Sequence, residues 1–287
     1  MLRPLLVLLF LIHFISASLG QDFEQWKIDR RAELIGEDGW VNLADLIWLD
    51  EDKVFLNQIS SDSLNISTQA TKINIGSFRF GTDSVWFVFN SKISKRKKFQ
   101  SPSEILQYPT TNYAQGGVSY DRWKWSVINR GGQFALRLRD LQHPALLDFS
   151  PIPYFEYDSA FAIKAFFQPK FNEKMNVPNV LGQVIEWKVL GVLKFQLGEN
   201  EFELTALDEA GKFFVIFSDR SNESETYPIG RYLYVNYPDQ NGYTTLDFNY
   251  SYNPPCAFTA FATCPIPPKE NRLELAIRAG EKIPKVK

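Results

Sequence analysis

From Val54 onward, apolar residues recur at every second position, in runs too short to build helices. These runs occupy 54–59, 73–80, 85–90, 123–128, 133–138, 192–197, 201–206, 213–217, 231–237, 243–248 and 272–278. A period of two puts alternate side chains on one face of a strand, and clusters of Gly, Asn, Asp or Pro separate many of the runs. About eleven short strands predict a mainly β chain, an antiparallel barrel or sandwich-like fold. The 24 Phe and 12 Tyr agree, because aromatic side chains suit pleated, half-buried surfaces.

Two hairpins can be read directly. Trp123–Val127 returns as Phe134–Leu138 through Asn129-Arg130-Gly131-Gly132, whose glycines accept the positive φ of a tight reversal. The run 192–197 returns as 201–206 through Gly198-Glu199-Asn200. Ahead of the strands, Trp26, Arg30 and Leu34 recur at four-residue spacing between Asp22 and Ile35. This predicts a short N-terminal helix with Trp26 inward, ended by Gly36 and Gly39. Late in the chain, Asn253-Pro254-Pro255-Cys256 and Cys264-Pro265-Ile266-Pro267-Pro268 cannot be central strands, since proline has no N–H for the ladder. They predict an irregular loop leading to a last strand, 272–278, with Leu273, Leu275 and Ile277 facing the core.

Residues 1–20 have another character. Arg3 precedes an apolar stretch from Leu5 to Ile15, and Ser18 and Gly20 stand at −3 and −1 of a cut before Gln21. This is the pattern of a cleaved signal peptide, with an apolar run shorter than the roughly 20 residues a membrane-crossing helix needs. The mature chain, 21–287, is therefore expected to be secreted or periplasmic, with no transmembrane segment. It reads as a single domain. An internal boundary, if there is one, falls at 168–186, where Gln168-Pro169-Lys170 and Val177-Pro178-Asn179 break the pattern. A net charge of −2 argues against a nucleic-acid partner. The basic run Lys92, Lys95, Arg96, Lys97 and Lys98 is local and suits a solvated hairpin or a protected sheet edge. No glycine-rich phosphate loop or calcium loop occurs, so no cofactor is expected. Asn65, Asn222 and Asn249 head glycosylation acceptor triplets, which matter only in a eukaryotic source.

Few residues carry obvious chemistry. Cys256 and Cys264 are the only cysteines. In an oxidising compartment they can form a disulfide closing a short loop, worth roughly 2.5 kcal/mol; two buried thiols, or a redox or metal pair, are the alternatives. His143 is the mature chain's single histidine, so no metal site is expected. In the run Phe134–Asp140, Leu136 and Leu138 take one face while Arg137 and Arg139 take the other. Either acids such as Asp140, Glu156 or Asp158 neutralise the arginines, or they clamp a small polar or anionic ligand by bidentate hydrogen bonds. Arg231 could join such a cluster. Asp247 and Glu270 are candidate paired carboxylates for acid–base hydrolysis. The competing reading is that such residues tie irregular loops to backbone groups.

The C-terminal third resembles the domain-of-unknown-function family 1684. The resemblance runs through Gly230-Arg231-Tyr232-Leu233, Leu246-Asp247-Phe248-Asn249, Tyr252-Asn253-Pro254-Pro255-Cys256, Ala262-Thr263-Cys264-Pro265-Ile266-Pro267-Pro268 and Glu270-Asn271-Arg272-Leu273. Gly39-Trp40-Val41-Asn42-Leu43 and Arg137-Leu138-Arg139-Asp140 resemble its earlier blocks, while Asp45 stands where the family has Gly. The resemblance implies no activity. It singles out Arg137, Arg139, Arg231, Asp247, Asn249, Asn253 and Asn271 as the polar positions to examine. Because the family also includes cytoplasmic proteins, it does not require a Cys256–Cys264 bridge. Three readings follow: a binding protein for a small polar or anionic ligand, using Arg137, Arg139, Arg231, Asn249, Asn253 and Asn271; a hydrolase using Asp247 and Glu270; or a structural or protein-interaction module.

Overall fold

The structure, a computed structural model, describes residues 21–50, 54–93, 104–109 and 117–285. The leader 1–20 and Lys95–Lys98 of the basic run lie outside the described residues. The chain is mostly β, with 49% in strands. It separates into two compact units. One unit is Ile35–Leu147; the flanking unit combines the chain up to Leu34 with Asp148–Lys287.

In the 35–147 unit the strands are β1 (Leu43–Trp48), β2 (Phe55–Ser60), β3 (Ser63–Ser67), β4 (Asn74–Phe80) and β5 (Val85–Phe89). They continue with β6 (Glu104–Tyr108), β7 (Val118–Tyr120), β8 (Trp123–Arg130) and β9 (Gln133–Asp140). They form two antiparallel sheets, β1-β9-β8-β7 and β3-β2-β4-β5-β6, the second curled into a half-barrel. The inward residues of both share one core, which includes Leu56, Phe78, Phe87, Trp125, Val127, Leu136 and Leu138. Trp125 meets Phe87 edge-on at 5.0 Å, an arrangement that adds to simple burial. The β8–β9 hairpin is as expected: Arg130 pairs Gln133, and Gly131 and Gly132 turn with φ of 59° and 85°.

The flanking unit begins with helix α1, residues 21–35. Its strands are β10 (Ala162–Pro178), β11 (Val184–Leu197), β12 (Asn200–Glu209), β13 (Lys212–Asp219), β14 (Arg231–Val235), β15 (Tyr243–Asp247) and β16 (Arg272–Leu273). The sheet order is β14-β13-β12-β11-β10-β15, antiparallel throughout, with β16 parallel beside β13. Its core contains Ile163, Leu193, Leu204, Phe213, Phe217, Leu233 and Phe248. Helix α1 buries Phe23, Arg30 and Leu34, a helical stripe, with Trp26 half-buried and stacked on Phe23 at 5.8 Å. Phe23 also packs on Tyr154, Tyr157 and Tyr250 of the same unit.

Two segments differ from expectation. The stretch 168–186, read as an interruption, lies within the long β10–β11 hairpin. Much of its distal part is exposed on both faces, Phe171 included, so no dry face marks the strand in the sequence, and the register shifts between Pro169 and Glu173 accommodate the proline. The last strand ends at Leu273 rather than 278. Even so, Leu273 and Ile277 are buried and Leu275 packs against the core. Burial there is satisfied by an irregular chain whose polar backbone is paired by side chains of the unit.

Candidate functional site

Arg231 begins β14 on the same face as Leu233 and Val235, the core face. Its guanidinium is fully buried and donates to Asp219 at 2.8 Å, to the Ile277 carbonyl at 2.8 Å and to the Ala279 carbonyl. It also lies over the Phe217 ring at 5.3 Å. Asp219, likewise buried, accepts from Ser221 N–H and Ile277 N–H with its other oxygen. Burial pulls the Arg231 guanidinium below its ordinary range, while Asp219 opposes this. The pair anchors the irregular C-terminal chain to the sheet, and its surroundings leave no room for a ligand. Gly280, at φ 77°, turns the chain there, and a Cβ on it would come within 2.4 Å of the Ser251 carbonyl.

The other motif residues of this unit do similar work. Arg30 of α1 donates to Glu281 at 3.1 Å, to Glu33 at 2.9 Å and to the Asn253 carbonyl at 3.0 Å, and stacks over Tyr252 at 4.6 Å. Burial works to lower the Arg30 pKa, but Glu281 and Glu33 outweigh it and raise it. Glu281 accepts the Asn253 N–H at 2.7 Å, and Asn253 Nδ2 donates to the Lys282 carbonyl. Asn271 accepts from Thr205 N–H at 2.6 Å and donates to the Thr205 and Ile216 carbonyls, stitching β12 to β13. Asn249 bridges the backbone of Asp158 and the carboxylate of Asp247. Asp247 caps the turn Phe248–Tyr250 and accepts from Tyr157 at 3.4 Å. Burial holds its carboxyl above the usual carboxylate range, against these hydrogen bonds. Glu270 is exposed on the turn Lys269–Asn271; no hydrogen bond among the described residues joins it to Asp247. Asn222 and Asn249 are buried and hydrogen-bonded, so of the three acceptor triplets only Asn65 stands exposed.

Arg137 and Arg139 belong to the 35–147 unit and occupy the β9 face opposite the core residues Leu136 and Leu138. Cross-strand register sets Ser126 opposite Arg137 and Lys124 opposite Arg139, so three cations share that face. Lys124 donates to Asp38 at 2.7 Å and to Glu37 at 3.5 Å. Arg139 donates to the Gly39 carbonyl at 3.1 Å, and Arg137 stacks over Trp40 at 4.8 Å. Burial lowers the Arg139 pKa, with Asp38 acting in the opposite sense. Asp140, foreseen as a neutralising acid, pairs with Arg122 instead.

A feature not singled out in the sequence lies on the outer face of the flanking sheet. Lys164 and Phe166 alternate with core-facing Ile163 and Ala165 along β10. Register brings Tyr243 and Lys194 opposite Phe166, and Glu203 opposite Lys194. With Glu201 they line a shallow depression of about 630 Å³. Phe166 and Tyr243 are 43% and 38% exposed, with ring centroids 5.4 Å apart, and the Lys164 ammonium lies 3.9 Å over Tyr243. The signal was legible as apolar residues on the polar parity of two strands.

The cysteines stand as free thiols, without the bridge that an oxidising compartment would allow. Cys256 N–H donates to Cys264 Sγ at 3.0 Å. His143 serves only to accept from the Ala145 N–H at the start of the short helical turn Pro144–Leu147. Among the described residues, no three of His, Cys, Asp and Glu gather as a metal site, and no helix is long and apolar enough to cross a membrane.

By fold, then, the flanking unit is a six-stranded antiparallel sheet held to an irregular C-terminal chain by buried arginines and asparagines. Residues 147–282 match the model of the family described as "Protein of unknown function (DUF1684)", the family the sequence resembles. The match covers all the strands of this unit but not helix α1, and the earlier blocks at 39–43 and 137–140 fall outside it. Among solved structures, an uncharacterized protein of Haloarcula marismortui determined by solution NMR is 29% identical, over 47% of this chain and 77% of that one, with a TM-score of 0.40. Comparison with curated proteins finds no match.

Proposed function

We propose that the protein is an exported binding module for a small polar ligand, seated against Phe166 and Tyr243. The observation that carries this is the depression itself, in which two exposed rings stand among two ammonium groups and two carboxylates. Its volume falls in the range of small-molecule sites, about 300 to 1,000 Å³. The mixed charge suits a neutral, hydroxyl-rich ring such as a sugar. Its C–H face would lie on an aromatic ring while its hydroxyls exchange hydrogen bonds with Lys194, Glu201 and Glu203. Titration with neutral mono- and oligosaccharides, followed by calorimetry, tests it. Phe166→Ala and Tyr243→Ala should each weaken binding at least tenfold, whereas equal affinity in both variants sinks the site. Export rests on residues 1–20, and a secreted product whose first residue is Gln21 is the expected outcome.

A second reading, anion binding at Arg137, Arg139 and Lys124, is favoured by the three cations on one sheet face. A rise in melting temperature with phosphate or citrate that Arg139→Ala abolishes would support it. A hydrolase reading draws on the burial-raised carboxyl of Asp247, which suits a proton donor. It requires Asp247→Asn and Glu270→Gln each to abolish a detected hydrolysis.

A further inference from the structure

We propose that Cys256 and Cys264 form a redox-active dithiol, with Cys256 the attacking sulfur and Cys264 the resolving one. They are the chain's only cysteines, so any bridge within the molecule joins these two. The fold already brings them together: the Cys256 N–H reaches Cys264 Sγ at 3.0 Å. The chain carrying them is held at several points. Ala257 and Phe258 N–H close on Pro254 and Pro255, while Cys264 O and Ile266 N–H are bound by Val180 and Pro178 of the β10–β11 hairpin. Two tyrosines stand beside the sulfurs. Tyr227 donates to the Cys256 carbonyl at 3.0 Å and lies in hydrogen-bond contact with its thiol; Tyr232 donates to the Pro265 carbonyl at 2.8 Å and contacts the Cys264 thiol.

The two thiols are unequal. Cys256 is half-exposed and Cys264 is 3% exposed. Hydrogen bonds from Cys264 and then Tyr227 pull the Cys256 pKa down, whereas burial pushes that of Cys264 up. The thiolate is the attacking species, and a reachable thiol of lowered pKa beside a protonated neighbour has the two roles such a pair requires.

The co-reactant is a low-molecular-weight disulfide. The Cys256 thiolate attacks one of its sulfurs, breaking the S–S bond and releasing one small thiolate, which leaves a mixed disulfide on Cys256. Cys264 gives its proton to that released thiolate and attacks the Cys256 sulfur, expelling the second small thiolate. Two cysteine thiols are oxidised by two electrons, and one disulfide is reduced to two thiols. The pair lies in the flanking unit, and the proposal stands whether or not the Phe166–Tyr243 depression binds a ligand.

The test equilibrates the folded full chain with mixtures of reduced and oxidised glutathione, then alkylates it and maps the peptides by mass. Two alkylated cysteines are expected under reducing mixtures and one Cys256–Cys264 crosslinked peptide under oxidising ones, with return to thiols on adding reductant. Cys264→Ser should accumulate a glutathione adduct on Cys256, at least tenfold more than Cys256→Ser accumulates on Cys264. Two thiols that stay alkylatable in excess oxidised glutathione overturn the proposal, as does a bridge that resists reduction until the chain unfolds. The wild-type measurement decides even if a serine variant fails to fold.

Discussion

Arg231 and the pair Arg137–Arg139 occupy similar sequence surroundings, arginines alternating with leucines or following them in a strand, yet their positions differ in kind. Arg231 shares its face with Leu233 and Val235, so the pleat directs it into the core of the flanking unit, where Asp219 and two carbonyls take up its donors. Arg137 and Arg139 take the face opposite Leu136 and Leu138, where they are buried against Trp40 and the Gly39 carbonyl beside Lys124 and its acids Asp38 and Glu37. Strand parity, more than residue type, therefore separates an arginine paired inside the hydrophobic core from arginines held on the face turned away from it. A buried guanidinium with its counter-charge is costly to disturb, because removing one partner strands the other without water.

The sharpest break of this comparison is Arg231→Ala, expected to cost about 3 to 5 kcal/mol by leaving Asp219 buried and unpaired. Urea unfolding measures it, and a loss below that of Arg139→Ala would reverse the assignment of roles. Asn271→Ala leaves the Thr205 N–H and two carbonyls without partners, and should cost about 2 to 3 kcal/mol in the same assay. Arg139→Ala removes a packed stem and one hydrogen bond, about 1 to 2 kcal/mol, with relief of like charge partly offsetting the loss.

A subtler distinction concerns pH. Burial raises the Asp247 carboxyl in the folded state, so the native protein keeps that proton to higher pH than the unfolded chain. Its contribution is full below the ordinary carboxylate value and is lost as pH rises through the raised one. Asp247→Asn should flatten that fall in stability, which unfolding curves from about pH 3.5 upward will register. At the small end, Lys188→Ala breaks an exposed pair with Asp208 and should change stability by under about 1 kcal/mol. A larger loss would mean that surface charge matters to this sheet as much as the buried pairs do.

The same parity argument explains what could be read before the structure was seen. Strand β9 writes a period of two into the sequence by alternating leucine with arginine, β13 reads as an unbroken apolar run because both its faces are buried, and the glycine-marked reversals at Gly131–Gly132 and Gly198 are legible from local chemistry. Strand β10 is not, because its outer stretch is solvated on both faces and Pro169 reads as a breaker. β7 is too short to carry a period, at three residues, and β3 has only Leu64 and Ile66 as apolar residues. The motif residues were found by type, but their purpose depended on long-range partners. Nothing near Asn271 in sequence announces Thr205 or Ile216, and nothing near Arg231 announces Ala279. The depression at Phe166 is marked only by apolar residues on the polar parity of two strands; its rings lie some eighty residues apart in sequence, and only the sheet register joins them.

The Arg30–Glu281 contact spans 251 residues of sequence, and that has a bearing on the order in which the chain can fold. Helix α1 precedes the 35–147 unit, but the partners of its buried Arg30, Asn253 and Glu281, lie 223 and 251 residues beyond it. The 35–147 unit holds both halves of its own core and can close while α1 waits, in line with the tendency of domains to fold as units from the N-terminal side. The stripe of Phe23, Trp26 and Arg30 finds its partners only in chain beyond the 35–147 unit, at Tyr154, Tyr157, Tyr250 and Glu281. The flanking unit is thus opened by helix α1 and completed across an inserted unit, so its formation includes closing a long loop, a slow kind of contact.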